Sequence, residues 1–371
     1  MIEADEIWGA ARHIDLVREH VSAKLVVWPV PYSDGVDQLI RRRGRPTVVL
    51  ASGDPFWFGA GSVLTQQLDH TEWTAHPNVS AASLVAARLG WPLEKTHLHG
   101  LHAAPFARVR SDLYAGARLI ATLRDGDAVA EFAEYLGQTC TADLWVCEAI
   151  GGPNERIRKT TAIGYDLNDV MHPVIVGVEV HVVDQPLSHA SGRSDDLFDN
   201  DGQITKRPVR ALTLSALAPR ANEHLWDIGG GSGSIALEWL MSHPTTRATA
   251  IEQNQDRAAR IQTNAAVLGQ DRLEVVHGTA PDALAGLDMP DVVFIGGGLS
   301  QEMFDTVQSL CPSGARLVCN AVTLEAEALL AQLHGEHGGD LVRIELAQSA
   351  PLGRKRGWKS SYPIVQWSVT L

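Results

Sequence analysis

The chain has 371 residues, more than one compact domain usually holds, and its 45% hydrophobic and 20% charged residues are the balance of a folded protein with real cores. The 31 Lys and Arg against 44 Asp and Glu give a formal net charge of -13, which argues against bulk electrostatic binding of nucleic acid or of an anionic membrane. No run approaches the roughly 18 to 20 apolar residues of a membrane span, and the acidic start MIEADEIWGAARH does not read as a secretory leader, so a cytoplasmic protein is expected. Cys140, Cys147, Cys311 and Cys319 show no C-x-x-C spacing and read as buried free thiols.

In chain order, short β-branched runs at 24–28, 47–51, 119–123, 144–148 and 174–180 predict strands, and apolar residues at helical spacing predict helices over 59–68, 80–89 and 128–136. That alternation predicts an α/β domain with a largely parallel sheet over residues 1–184. Residues 185–201 (QPLSHASGRSDDLFDND) turn polar and predict a linker. Asp199-Asn200-Asp201-Gly202 resembles the opening of a calcium loop, but the later ligands are missing and an Asx-rich turn is the expectation. A second α/β domain is predicted over 202–371. Its strands fall at 225–228, 248–251, 273–276, 292–295, 316–319, 341–346 and 364–369, and its helices at 208–217, 232–241, 256–268, 303–310 and 324–334. The last two strands have no helix between them, so an antiparallel pair is expected at one end of the sheet.

The strongest local signal is Leu225-Trp226-Asp227-Ile228-Gly229-Gly230-Gly231-Ser232-Gly233-Ser234-Ile235-Ala236. An apolar strand runs into a glycine loop and then a helix, an arrangement that lets backbone N–H groups approach a nucleotide-like ligand. The next strand ends in Glu252, where a carboxylate can accept hydrogen bonds from ribose hydroxyls. Residues 231–236 also satisfy G-x-G-x-x-A, so a nicotinamide cofactor competes on spacing. His277-Gly278-Thr279-Ala280-Pro281 and Gly296-Gly297-Gly298 follow the third and fourth strands, where open sheets carry their ligand loops.

His97, His99 and His102 alternate as ligands on one strand face would, but lack Cys or Asp at ligand spacing, and no metal is expected. Arg41-Arg42-Arg43 with Arg45, and Arg354-Lys355-Arg356 with Lys359, are either solvated basic faces or seats for substrate carboxylates.

The pattern Asp-x-Gly-x-Gly-x-Gly resembles the first motif of class I, Rossmann-like methyltransferases that bind S-adenosylmethionine. With GQITKRPVRAL (202–212), AIEQN, GTAPDAL and DVVFIGGG, the second half resembles CbiT-type precorrin C-15 methyltransferases and decarboxylases. The resemblance implies that Thr205, Asp227, Gly229, Gly230, Gly231, Ser232, Gly233, Glu252, Thr279 and Ala280 hold S-adenosylmethionine, and that Gly296, Gly297 and Gly298 face the substrate. ASGDPFWFG (51–59), NVSAASL (78–84), ARLGWP (87–92) and VCEAIGGPNERI (146–157) resemble CbiE-type C-5 methyltransferases of the tetrapyrrole methylase superfamily, which implies Asp54 and Ser80 as further donor-binding residues.

The two matches stand in the order of the fused enzymes of this pathway. They imply methylation of precorrin-6B at C-5 and C-15 with decarboxylation of its C-12 acetate, giving precorrin-8X, by a homo-oligomer. Three departures are visible. The superfamily opens with a strand and a Gly-rich loop ahead of the helix leading into a segment like Ile2-Glu3-Ala4-Asp5-Glu6-Ile7, whereas this chain starts inside that helix, so the first strand is expected to be missing. A Thr-Pro is lacking near Asp127-Ala128, and Leu101 stands where an Arg follows the His-Gly. The alternative is therefore C-15 methylation and decarboxylation alone, the first half being a truncated binding or assembly module. An RNA methyltransferase and a nicotinamide oxidoreductase are the remaining readings. No residue is singled out as the proton donor.

Overall fold

The computed structural model describes residues 4–371, in two compact units: one comprises residues 4–103 and 115–182, the other 104–114 and 183–371. Ile2 and Glu3 lie outside the described residues.

The first unit runs β1 (Glu6–Gly9), α1 (Ala11–Val17), β2 (Lys24–Val27), α2 (Tyr32–Ile40), β3 (Thr47–Val49), α3 (Ala60–Leu64), α4 (Ala81–Leu89), β4 (His97–Gly100), β5 (Arg118–Thr122), α5 (Asp127–Gly137), β6 (Cys140–Glu148), β7 (Arg156–Thr161) and β8 (Val174–Val183). Its strands form two sheets. β2-β1-β3 is wholly parallel, with β1 in the middle. The other, β4-β5-β8-β6-β7, is mixed: β4 and β5 are parallel, but β8 is antiparallel to β5 and β7 to β6. The expected single, largely parallel sheet therefore describes only its first part. Strands β1, β4 and β7 were not predicted, being four to six residues long with a His, Glu or Arg in each.

Helix α4 shows how local chemistry sets the boundaries. Ser80 caps its N-terminus by accepting from Ser83 N at 3.1 Å, and Gly90 ends it in the left-handed region.

Glu148, fully buried at the end of β6, accepts from Arg156 Nη2 (2.6 Å), Arg158 Nε (2.9 Å) and Met171 N (2.8 Å). Burial alone would raise its pKa, but these bonds outweigh that and hold the carboxyl below its ordinary value. Removing the carboxylate leaves Arg156 and Arg158 with Asp169 as their remaining acid and Met171 N without its acceptor. Glu148→Ala is expected to lower stability by about 1–3 kcal/mol, read from urea unfolding; a loss within experimental error of zero would contradict this account of the cluster.

The second unit runs α6 (Arg207–Leu217), β9 (His224–Ile228), α7 (Ser234–Ser242), β10 (Arg247–Glu252), α8 (Gln255–Val267), β11 (Leu273–His277), β12 (Val292–Ile295), α9 (Gln301–Leu310), β13 (Arg316–Ala321), α10 (Leu324–His337), β14 (Asp340–Ile344), β15 (Ala347–Leu352), β16 (Lys355–Ser360) and β17 (Ile364–Thr370). Every helix and strand predicted here is present, with ends shifted by a few residues. The sheet order is β11-β10-β9-β12-β13-β17-β14. β9 to β13 are parallel, and β17 lies antiparallel between β13 and β14, so the expected antiparallel ending is observed. One core packs Trp226, Phe304, Leu330 and Trp367; the other packs Leu217, Trp239, Ile261 and Phe294. The β15–β16 hairpin was not predicted, because it is exposed along most of its length and carries no apolar alternation.

Residues 185–201, read as a linker, pack on this unit: Leu187 and Phe198 are buried against Leu237, Ala265 and Leu268. Asp199 and Asp201 of the Asx-rich turn pair with Arg260 (3.2 Å) and Arg257 (2.8 Å), and hydrogen bonding to Arg257 pulls the Asp201 carboxyl down to about 2. Among the described residues no three His, Cys, Asp or Glu side chains converge at metal-ligand spacing, and no helix is long and apolar enough to cross a membrane. No disulfide joins the four cysteines, and burial pushes the Cys147 thiol up to about 12 and that of Cys311 up to about 11.

Candidate active site

β9 and β10 are parallel neighbours, so the loop after β9 and the acid ending β10 emerge side by side. Gly229 N and Gly230 N donate to Ile251 O (2.9 and 3.1 Å), which stitches the glycine loop to β10. Glu252 completes the join: its Oε2 accepts from Gly231 N at 2.8 Å and its Oε1 from Asn254 N at 2.9 Å. A carboxylate has lone pairs beyond these two bonds, so Glu252 retains acceptor capacity toward the cavity. Gly233, with φ +76°, turns the chain into α7, and a Cβ there would stand 2.8 Å from the Ile261 side chain. Only glycine fits both constraints.

Around this loop lies a cavity of about 620 Å³, within the range of small-molecule sites. Thr205, Gly229, Gly230, Gly231, Glu252, Thr279, Ala280, Gly296, Gly297 and Gly298 all line it. Residues scattered across 94 sequence positions thus meet at the carboxyl ends of β9, β10, β11 and β12, as ligand sites of open α/β sheets do.

Five named residues are not among the lining. Asp227 is 1% exposed beneath the loop, and its Oδ2 accepts from Ala236 N at 3.1 Å, bracing the start of α7. Ser232 and Gly233 are turned into the loop base, where Ser232 O accepts from Asn264 Nδ2. Asp54 and Ser80 belong to the first unit.

The sequence reading missed Lys206, Asn320, Gln348 and Tyr362, which also line the cavity. Asn320 stands near the carboxyl end of β13, so the strand-end rule that found Gly296 would have found it too. Gln348 lies on β15 of the unpredicted hairpin, and Tyr362 lies just beyond β16. The hairpin's cations Arg354, Lys355, Arg356 and Lys359 are exposed, and Arg356 donates to Ser349 Oγ. The other basic cluster serves the first unit's own structure in part, since Arg42 pairs with Glu6 and Arg43 with Glu72.

The cavity wall at Thr205 is held from behind. Arg210 of α6, fully buried, donates from Nε to Glu238 Oε1 (2.7 Å), from Nη2 to Arg193 O (2.7 Å) and from Nη1 to Thr205 O. Glu238 on α7 also accepts from Gly192 N (2.7 Å) and Arg193 N (2.9 Å). One buried ion pair thereby fixes residues 192–206 to the helix that carries the glycine loop.

In the first unit, the loop of residues 51–59 follows β3. Asp54 Oδ1 accepts from Phe56 N at 2.8 Å and folds the loop back on itself. A Cβ on Gly53 would meet Val79 O at 2.7 Å, so this loop lies directly against the segment leading to Ser80.

A seven-stranded sheet of this order with a glycine-lined cavity at its strand ends defines a Rossmann-like methyltransferase, here preceded by a second α/β unit. The family model for precorrin methyltransferase domains matches residues 196–371, and that for tetrapyrrole (corrin/porphyrin) methylases matches residues 3–163. A Sinorhizobium protein named precorrin-6Y C(5,15)-methyltransferase [decarboxylating] is 44% identical over 99% of this chain and 90% of its own length. The cobalt-precorrin-6B C(15)-methyltransferase (decarboxylating) of Salmonella typhimurium is 31% identical over 46% of this chain and 91% of its own. The solved C-terminal domain of the precorrin-6Y C5,15-methyltransferase from Rhodobacter capsulatus is 53% identical, covering 50% of this chain and 100% of that one, with a TM-score of 0.49. The chain belongs to the precorrin-6Y C(5,15)-methyltransferase (decarboxylating) family.

The buried Asp227 gives a pH test of the loop. Burial, reinforced by the nearby Glu252 charge and opposed by the Ala236 N–H, pushes its carboxyl up to about 7. In the unfolded chain it titrates near 3.9, so between these values the folded state binds the proton more tightly and stability falls as pH rises, by at most about 1.4 kcal/mol per pH unit. Asp227→Asn keeps an oxygen for Ala236 N and does not titrate. Melting of the ligand-free protein from pH 5 to 8 is expected to show the variant gaining on the parent as pH rises; a constant difference would contradict the assignment.

Proposed function

We propose that the chain transfers methyl groups from S-adenosylmethionine to C-5 and C-15 of precorrin-6B and removes the carboxyl of its C-12 acetate as carbon dioxide, giving precorrin-8X. The observation that carries this reading is the convergence of the Gly229–Gly231 loop, Glu252, Thr279–Ala280 and Gly296–Gly298 on one cavity, in a chain whose family is named for this reaction. The second unit is assigned C-15 methylation and decarboxylation, in line with its likeness to the Salmonella protein, and the first unit C-5 methylation.

The residues fit the methyl donor. The glycine loop leaves no side chain between backbone and ligand, and Glu252 accepts from ribose hydroxyls while tied to Gly231 N. Thr279 and Ala280 border the adenine, Thr205 closes the opposite wall, and Gly296–Gly298 leave the macrocycle room to approach. Asp54 and Ser80 serve the donor of the first unit. The sulfonium supplies an electrophilic methyl group when bound: its carbon–sulfur bond breaks as the carbon–carbon bond to the ring forms. The protein's part is to align donor and ring carbon, which needs positioning more than a strong base. In decarboxylation the electron pair of the broken bond enters the conjugated ring, which takes up a proton.

Lys355 and Lys359 share a hairpin face with the cavity-lining Gln348, through the register Gln348↔Lys359 and Leu352↔Lys355, and are set to meet carboxylates at the rim of the macrocycle. The acidic balance of the chain supports a small-molecule partner over nucleic acid or membrane, and a cytoplasmic homo-oligomer completes the reading.

Mass spectrometry of precorrin-6B incubated with the full chain and S-adenosylmethionine is expected to show two methyl groups gained and one carboxyl lost. One methyl with decarboxylation would contradict the role of the first unit, and unchanged substrate would contradict the whole reading. Glu252→Ala is expected to weaken donor binding in the second unit by about 10- to 100-fold, the loss of hydrogen bonds to a charged group, with C-15 methylation lost in parallel. Unchanged calorimetric affinity at that site would contradict the assignment.

A further inference from the structure

β1 and β3 are adjacent parallel strands, so the residues after them meet at one edge of the first unit. After β1, the opening turn of α1 presents Arg12 and His13; after β3 comes Ser52, next to the loop that carries Asp54. Arg12 Nη2 donates to Ser52 Oγ at 2.8 Å, and His13 Nε2 lies 2.9 Å from the same oxygen. Arg12 can only donate, so Ser52 receives one proton and is free to give its own to His13. Burial first, and then the nearby Arg12 charge, lower the pKa of both His13 and His172. Arg12 is thus held at a hydroxyl that it shares with His13, an imidazole that favours its neutral form.

Arg12 shares with Arg41 and Arg45 the lack, among the described residues, of a carboxylate partner, and differs from those two in being held by another side chain, Ser52. Arg42, Arg43, Arg88, Arg118, Arg124, Arg156 and Arg158 of this unit each lie within ion-pair distance of a carboxylate. Arg12 has a serine hydroxyl and no carboxylate among the described residues. A guanidinium presents its N–H donors as a planar fork matched to a carboxylate, and the Ser52 bond uses one of them while restricting the side chain.

We propose that Arg12, oriented by Ser52 and set beside His13, is the seat of a ligand carboxylate in the first unit. The inference rests on the methyl-transfer reading above. Two sources share this chemistry: an acetate or propionate side chain of the tetrapyrrole, and the amino-acid carboxylate of the methyl donor. Arg12 is a binding residue here, and no proton or methyl transfer is assigned to it.

The test uses the full chain carrying Glu252→Ala, assayed at S-adenosylmethionine well below the weakened affinity of the second unit, so that the expected product is the first unit's, one methyl gained with no carboxyl lost. If that parent makes no such product, the reading of the first unit fails before Arg12 is touched. In a parent that does, Arg12→Gln is expected to raise KM for precorrin-6B, or to weaken S-adenosylhomocysteine binding by calorimetry, by about 10- to 100-fold. Kcat should change far less. Arg12→Lys, which keeps the charge but loses the fork, is expected to recover most of the affinity. A rise in KM with unchanged S-adenosylhomocysteine affinity assigns the seat to the tetrapyrrole, and the reverse pattern assigns it to the donor. Both quantities within twofold of the parent, in a variant with unchanged circular dichroism, would overturn the proposal.

Discussion

The second unit is organised around a glycine loop in which Gly230 and Gly233 have no room for a Cβ against the Ile261 side chain. Gly229 to Gly233 pass between the end of β10, the Ile261 side chain on α8 and the carbonyl of Gln203, and the loop is pinned by Gly231 N donating to Glu252. That bond fixes two things together. It ties the loop to the end of β10, and it orients a carboxylate that lines the cavity. The parallel pairing of β9 with β10 and β12 then brings the loops after all three strands to the same cavity.

A second constraint acts from the opposite wall. Arg210 and Glu238 are both buried, and a buried pair contributes little net stability unless its other donors and acceptors are also satisfied. Here Gly192 N, Arg193 N, Arg193 O and Thr205 O fill those positions. The polar stretch 185–201 is thereby ordered against the unit instead of tethering it, and Thr205 gains a fixed place beside the glycine loop. The cost of burying the pair goes into the shape of the cavity more than into stability.

Much of this was legible in the sequence. The second half alternates apolar strands with amphipathic helices so regularly that all its principal elements were found, and of the site residues read from Gly229 to Gly298 all but Ser232 and Gly233 line one cavity. The reading failed where the period-2 and period-3.6 signals are weak. β1, β4 and β7 are short and carry polar residues, and the β15–β16 hairpin faces solvent along most of its length, so no alternation marks it. The polar composition of 185–201 reads as a linker because what orders it is a pair of charges on distant helices, Arg210 and Glu238. For the same reason Arg12 and His13 passed unremarked: their significance depends on Ser52, forty positions away and adjacent only through the pairing of β1 with β3. Asp227 illustrates the reverse. Its place in the motif suggested a ligand contact, whereas the fold buries it under the loop as a brace.

In the proposed reading the glycine loop and Glu252 together hold the methyl donor. A crystal structure of the full chain with S-adenosylhomocysteine tests this most directly. The account predicts the ribose hydroxyls within hydrogen-bond distance of the Glu252 carboxylate, the amino-acid end along Gly229–Gly231 and the sulfur directed toward Gly296–Gly298. A ligand seated elsewhere in the second unit, or one whose ribose leaves Glu252 without a contact, would contradict it.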